Sequence, residues 1–201
     1  MVVRARRERG RLNLLSSLKY RESRIFWFGA TIASIAQAAF LVSAGWLAFQ
    51  LHGSSAVGLV TFATMLPLLL ATPIGGLLAD RIDRRTLVIV AQVVQGVVAL
   101  VLGIQTVLGA MPLVELVPLV FLSGIARAVE LPTVQTMLPN LVPPDELLNT
   151  FAMNGLGTLG SRFAGPAVMA PVLATQGAGL AFLIIGVLYL PALTFVLRVP
   201  R

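Results

Sequence analysis

Three ionisable residues lie deep inside apolar sequence: Arg127, Glu130 and Arg162. A charge at the centre of a bilayer costs about 2.5–3.5 kcal/mol on insertion scales, so each is a candidate for function. Arg127 and Glu130 are three residues apart, which puts them on one helical face and lets them pair. Arg162 falls on the next apolar run, which travels in the opposite direction and returns it to a similar depth. The spacing therefore predicts a small internal network of the three. A carboxylate that gains and loses a proton beside guanidinium groups can act as a proton-linked switch. The same groups can equally form a static pair that locks two helices together. Glu130 is the one carboxylate at depth, because Glu115 falls near the end of its run and reads as interfacial. The first apolar run carries no acid, with Ala36 and Gln37 in its middle, and its Ser34 and Gln37 share a face that suits the lining of a cavity.

Other chemistries find no support. There are no cysteines, hence no disulfide, thiolate nucleophile or cysteine metal site. The single histidine, His52, falls at a helix end and reads as interfacial. No Ser–His pair, ligand cluster or phosphate-binding loop stands out. The Gly155-Leu-Gly-Thr-Leu-Gly160 run lies within an apolar span with no strand before it and reads as helix packing. No catalytic residue, metal ligand or cofactor is expected, and the chain does not read as an enzyme.

The elements that position these groups are long and apolar. Hydrophobic residues make up 57% of the 201-residue chain and mean hydropathy is +0.92, outside the soluble globular range. A spanning helix needs about 20 mostly apolar residues. Six runs meet that length: Ile25–Leu51, Val57–Ala79, Thr86–Leu108, Leu113–Leu138, Leu147–Ala174 and Gly179–Leu197. The expected organisation is a basic tail over 1–24, a six-helix transmembrane domain over 25–197, and the start of a linker or the C-terminus over 198–201.

Basic residues set the orientation. Of 15 Lys and Arg, eight precede Ile25, three (Arg81, Arg84, Arg85) follow the second run, and Arg198 and Arg201 follow the sixth. The turns around His52–Ala56, Gly109–Pro112 and Thr175–Ala178 contain none. The positive-inside rule then predicts that both termini and the Asp80 turn are cytoplasmic, and the expected location is the plasma (inner) membrane, as a multi-pass protein. The net charge of +7 is mostly this topology signal. No nucleic-acid partner is expected, because the basic tail lacks the interleaved aromatics of a single-strand binder. The first apolar stretch is too long for a signal peptide and ends in no small-residue cleavage site. Leu12–Leu18 can lie as an amphipathic turn on the inner leaflet or form part of a disordered tail.

The densest charge in the chain is the turn Gly76-Leu-Leu-Ala79-Asp80-Arg81-Ile-Asp83-Arg84-Arg85. Paired glycines before an Ala-Asp-Arg step are more than a positive-inside turn requires. The pattern resembles the gating-loop motif between the second and third helices of the major facilitator superfamily, carried here by Gly76, Asp80, Arg81, Arg84 and Arg85. Asp83 stands where that pattern usually has glycine. Trp46–Leu51 with Gly53-Ser-Ser55, and Leu66-Pro-Leu-Leu-Leu70, are similar to the family's first and second helices. Gly124–Pro132 with Leu138–Pro143 resembles the fourth helix and following loop of its enterobactin-exporter-like branch, which exports drugs and siderophores. Arg162-Phe-Ala-Gly165-Pro166-Ala167 resembles the antiporter motif of exporters, although Met169 and Ala170 replace its downstream glycines. The arginine common early in helix four is absent, with Val120 near that place.

The resemblance implies an all-α membrane protein with six transmembrane helices. They would form the N-terminal half of a major facilitator fold, itself a 3+3 inverted repeat. It implies that helices one, two, four and five face the cavity or the partner half, and that three and six face outward. Helix six, with Tyr189 and Thr194 as its polar groups, fits a lipid-facing place, whereas Gln92, Gln95 and Gln105 make helix three more polar than an outer helix should be. Gly155, Gly157, Gly160 and Gly165 suit close packing of helix five, and Pro166 and Pro171 suit bending. The implied function is secondary-active, proton-coupled export of an amphiphilic small molecule. Glu130 and Arg127 are the proton-coupling candidates, and the partners are protons, substrate, the lipid bilayer, and a missing C-terminal half or a homodimer partner. The alternative is a truncated, transport-incompetent membrane protein with a structural or interaction role.

Overall fold

Peptide groups in an apolar chain that meets no water must bond to one another, and helices do this within one segment. In the computed structural model of the chain, residues 16–79, 83–109 and 111–198 are described, the side chains of 71–79 excepted, and the secondary structure there is all helical. The helices are α1 (Arg21–His52), α2 (Ser54–Ala79), α3 (Arg84–Val107) and α4 (Leu113–Met137). The stretch Leu147–Leu197 is broken at Gly177, where φ 81° and ψ 177° leave helical geometry, giving α5 (residues 147–176) and α6 (residues 178–197). By length and composition, three helices among the described residues can cross a membrane: Arg21–His52, Arg84–Val107 and Pro144–Leu197. Ser54–Leu70 is a shorter apolar helix, and α4, which carries Glu115, Arg127 and Glu130, is not among the three.

Three turns are made by one device. Gly53, Gly109 and Gly177 have φ of 74°, 71° and 81°, and end α1, α3 and α5. No atom lies within 4 Å of where their side chains would begin, so the left-handed backbone alone calls for glycine. At the opposite end the links are 3₁₀ turns over Ser16–Lys19, Leu138–Asn140 and Pro144–Glu146. Ser16 Oγ donates to Glu146 Oε2 (2.5 Å) and accepts from Asn149 Nδ2 (3.0 Å), joining the chain just before α1 to the start of α5. The rest of the basic tail and Arg201 lie outside the described residues, and α1 begins four residues earlier than hydropathy alone suggests.

Packing fixes the directions. Gly157 lies against Trp27 and Thr31 of α1, and Gly165 against Ile35, Ala38 and Ala39, so α5 runs parallel to α1. Gly29 meets Phe195, and the Phe40 and Phe182 rings stack edge-on at 5.6 Å, so α6 runs antiparallel to it. α6 also packs on α3, where Gly96 meets Tyr189 and Gly179 meets Val107. α2 packs on α4, where Gly124 meets Thr64 and Pro67.

α3 buries Gln92 and Gln95 beside Leu87, Val88, Val98 and Leu102, while Val90, Val93, Val97 and Ile104 are exposed. Large exposed apolar side chains recur on every helix, a surface that suits lipid. α6 is not simply lipid-facing. Ala181, Phe182, Ile185, Tyr189 and Ala192 form a buried face, and Leu180, Val187, Leu190, Thr194 and Leu197 are exposed.

The four glycines of α5 divide by environment. A Cβ at Gly165 would sit 2.7 Å from Ala38 Cβ and Ala39 N, whereas nothing lies within 4 Å of Gly155 or Gly160. We expect Gly165→Val to destabilise the purified protein by about 1–3 kcal/mol, the usual cost of overpacking. Gly160→Ala should leave thermal unfolding in detergent unchanged or raise it slightly, since alanine is the better helix former. Equal effects of the two would contradict the α1–α5 contact.

Candidate functional site

Glu130 is 2% exposed and accepts three hydrogen bonds. Gln92 Nε2 donates to Oε1 at 3.0 Å, while Gln95 Nε2 and Arg127 Nη1 donate to Oε2 at 3.0 and 3.1 Å. A carboxylate removed from water needs donors of this kind, since an unpaired buried charge is very unfavourable. The arrangement follows from helical period. Gln92 and Gln95 are three apart on α3, Arg127 and Glu130 three apart on α4, and the two faces meet because the helices run antiparallel. The same antiparallel pairing joins Gln105 Nε2 to Glu115 Oε2 (2.9 Å) at the other end of these helices, so Glu115 has a partner on α3.

The polar chain continues across the bundle. Tyr189 Oη of α6 donates at 3.0 Å to Gln95 Oε1 and lies 3.3 Å from Gln37 Oε1 of α1. Four helices, α1, α3, α4 and α6, thus share one buried polar line that ends at Glu130. Gln92 Oε1 is the open position in it, a buried acceptor without a partner among the described residues.

On its other side Glu130 borders a cavity of about 300 Å³ between α1, α4 and α5. Ser34, Arg127, Glu130 and Arg162 all line it, with Asn154, Thr158 and Gln135 as further polar groups and Leu131, Val134, Phe151 and Leu159 as apolar wall. The structure thus brings Arg162 to the cavity that Arg127 and Glu130 border. It does not bond Arg162 to them: the ion pair among the described residues is Arg127–Glu130 alone. The remaining donors to Glu130 come instead from α3. Gln37 is directed to Tyr189 and is not part of the cavity wall. Gln92, Gln95 and Tyr189 were missing from the expected site. The signal available for them was the i, i+3 spacing of two amides on an otherwise apolar helix.

Of the charged turn, Asp80 and Arg81 lie outside the described residues, and Gly76 is described in its helical backbone only. Asp83 is the N-cap of α3, accepting from Thr86 N (3.3 Å) and Thr86 Oγ1 (3.0 Å) at φ −54°, an angle open to any residue. Its aspartate is therefore suited to a place where the resembling pattern has glycine. Arg84 Nη1 donates to Thr136 O at the end of α4 (2.9 Å). Arg85 donates through Nε to Val196 O (3.3 Å) and through Nη2 to Leu197 O at the end of α6. Two cations thus hold helix C-termini, where the carbonyl dipoles favour positive charge. In the antiporter-like segment, Gly165 is the α1 contact, Pro166 lies within α5 beside it, and Arg162 stands one turn earlier at the cavity.

The sequence profile of the transmembrane secretion effector family, of the major facilitator type, matches residues 13–201. The chain belongs to that family. It is accordingly an integral membrane protein of the major facilitator transporter class. No curated protein matches the chain.

The family member's buried line makes a quantitative expectation. Tyr189→Phe removes the donor to Gln95 Oε1 and leaves that acceptor unsatisfied, a loss of about 1–3 kcal/mol. Gln95→Leu in the same protein removes the acceptor as well. The two changes should couple by about 0.5–3 kcal/mol in a double-mutant cycle read from unfolding in detergent. Strict additivity would contradict the hydrogen bond.

Proposed function

We propose that the chain is the N-terminal half of a secondary-active exporter with six spans and both termini cytoplasmic. It would sit in the plasma (inner) membrane and move an amphiphilic small molecule, of the drug or siderophore kind, outward in exchange for protons. Glu130 is the proton-binding group, and Arg127 is the cation that holds it when ionised. The observation that carries this reading is the position of one buried carboxylate between a four-helix polar line and an open cavity.

That position suits both protonation states. The ionised form takes the three donors described above. The neutral form needs an acceptor for its proton, and rotation of the Gln92 amide presents Oε1, which has no other partner. Protonation also removes the charge that holds Arg127, freeing its guanidinium toward the cavity. A change of charge at Glu130 is thereby transmitted to α1, α3 and α6 through Gln95 and Tyr189.

The second six-helix half would come from further sequence or from a second copy of the chain. The exposed apolar side chains Leu59, Phe62, Leu159 and Phe163 of α2 and α5 support such an apposition. The name of the matched family, a secretion effector, supports outward movement.

The test is efflux from proteoliposomes under an imposed pH gradient. We expect efflux of a fluorescent amphiphile to rise with the gradient in the wild type and to lose that dependence in Glu130→Gln. Gradient-driven efflux undiminished in Glu130→Gln would remove Glu130 as the coupling group. Absence of any gradient-driven efflux by the wild type would favour the transport-incompetent alternative.

A further inference from the structure

The charges around the cavity do not balance. Glu130 is the acid that lines it, and its carboxylate is occupied by Arg127 at 3.1 Å and by the two α3 amides. Arg162 is the second cation on the wall, and no described residue bonds it or forms an ion pair with it. With Glu130 ionised, the cavity wall carries a surplus of one positive charge.

The neighbours of Arg162 match that charge. Asn154, Thr158 and Arg162 follow one another at intervals of four along α5 and all line the cavity, so one helical stripe presents an amide, a hydroxyl and a guanidinium. These supply hydrogen-bond donors beside a cation, and none adds negative charge. Facing and flanking them are Leu131, Val134 and Phe151. A volume of about 300 Å³ lies at the lower end of small-molecule sites.

We infer that this cavity binds a small amphiphile bearing one anionic group, its carboxylate, sulfonate or phosphate held by Arg162 with Asn154 and Thr158 and its apolar body against the α4 and α5 wall. A guanidinium binds such oxyanions in bidentate fashion, more strongly than a neutral donor does. A cationic amphiphile would meet uncompensated like charge on this wall. The role of this site in transport rests on the exporter reading given above, whereas its binding preference does not.

Matched probes separate the possibilities: 1-naphthaleneacetate, the neutral 1-naphthaleneacetamide and the cationic 1-naphthylmethylammonium share one ring system. Binding is measured by calorimetry to the purified chain in nanodiscs of phosphatidylcholine. The wild type should bind the anion roughly tenfold or more tighter than the amide, the difference between a charge-assisted bond and a neutral one. The cation should bind most weakly. Arg162→Gln should bring anion and amide together, Arg162→Lys should keep part of the preference, and Arg162→Glu should reverse it. Arg162 makes no bond to the described residues, so unfolding temperatures should be unchanged, and Arg162→Lys provides a second reading if Arg162→Gln is unstable.

Equal binding of anion and amide by the wild type would overturn the inference, as would an anion preference that survives in Arg162→Gln. Loss of naphthaleneacetate binding when phosphatidylglycerol replaces part of the lipid would assign the anion site to a lipid headgroup and overturn the small-molecule ligand. Efflux of the naphthaleneacetamide probe distinguishes the two levels. Gradient-driven efflux without anion preference removes the site and leaves the exporter, and anion-selective binding without efflux of any probe leaves the site and removes the exporter.

Discussion

The interaction on which the rest depends is the solvation of one carboxylate by protein. Glu130 is removed from water, and everything around it follows from that: two amides of α3 and one guanidinium of α4 take the place of its hydration shell. Amides suit this role because each carries both a donor and an acceptor. Gln95 uses both, donating to Glu130 and accepting from Tyr189, so the charge is felt as far as α6 and, through Gln37, α1. A hydrocarbon core in the same place would be easier to build. The polar line instead ties α1, α3, α4 and α6 to one carboxylate.

Such a line works only if helix axes are held close enough for short side chains to meet. The close approaches at Gly96, Gly124 and Gly165 set those separations, with no room for a Cβ at Gly124 or Gly165. At one end, left-handed glycines close three turns, and Gln105 and Glu115 bond across one of them. At the other, Arg84 and Arg85 tie the start of α3 to the ends of α4 and α6. At that second end Ser16 is also joined to Glu146 and Asn149, and Phe26, Val88, Met137, Leu138 and Val196 pack into a separate apolar cluster.

Much of this was legible in the sequence, where period and hydropathy speak directly. The Arg127–Glu130 pair follows from i, i+3 spacing, and the approach of Arg162 to the same cavity follows from antiparallel neighbours of similar depth, although the expected bond to it is not made. Gln92, Gln95 and Tyr189 were hidden for one reason: within an apolar run, hydropathy records that a polar residue is present but not which neighbour faces it. Read alone, Tyr189 passed as decoration on a lipid-facing helix and the glutamines as surplus polarity. Their meaning lies in the rotation of α3 and α6 about their axes, which close contacts such as Gly96 with Tyr189 determine. Asp83 was misleading in another way. The glycine-bearing pattern left the conformation there open, whereas the backbone is ordinary and the carboxylate caps a helix.

The central proposal is that Glu130 takes up a proton inside the protein, keeping its two α3 amides and releasing Arg127. Infrared difference spectroscopy of the wild type against Glu130→Gln, titrated across pH in lipid, reads that event directly. The account predicts a carboxylic-acid carbonyl band that grows on acidification, is missing from Glu130→Gln, and rises together with a change in glutamine amide bands. A carboxylate band at Glu130 that persists unchanged across the titration would contradict it and leave the Arg127–Glu130 pair a fixed strut between helices.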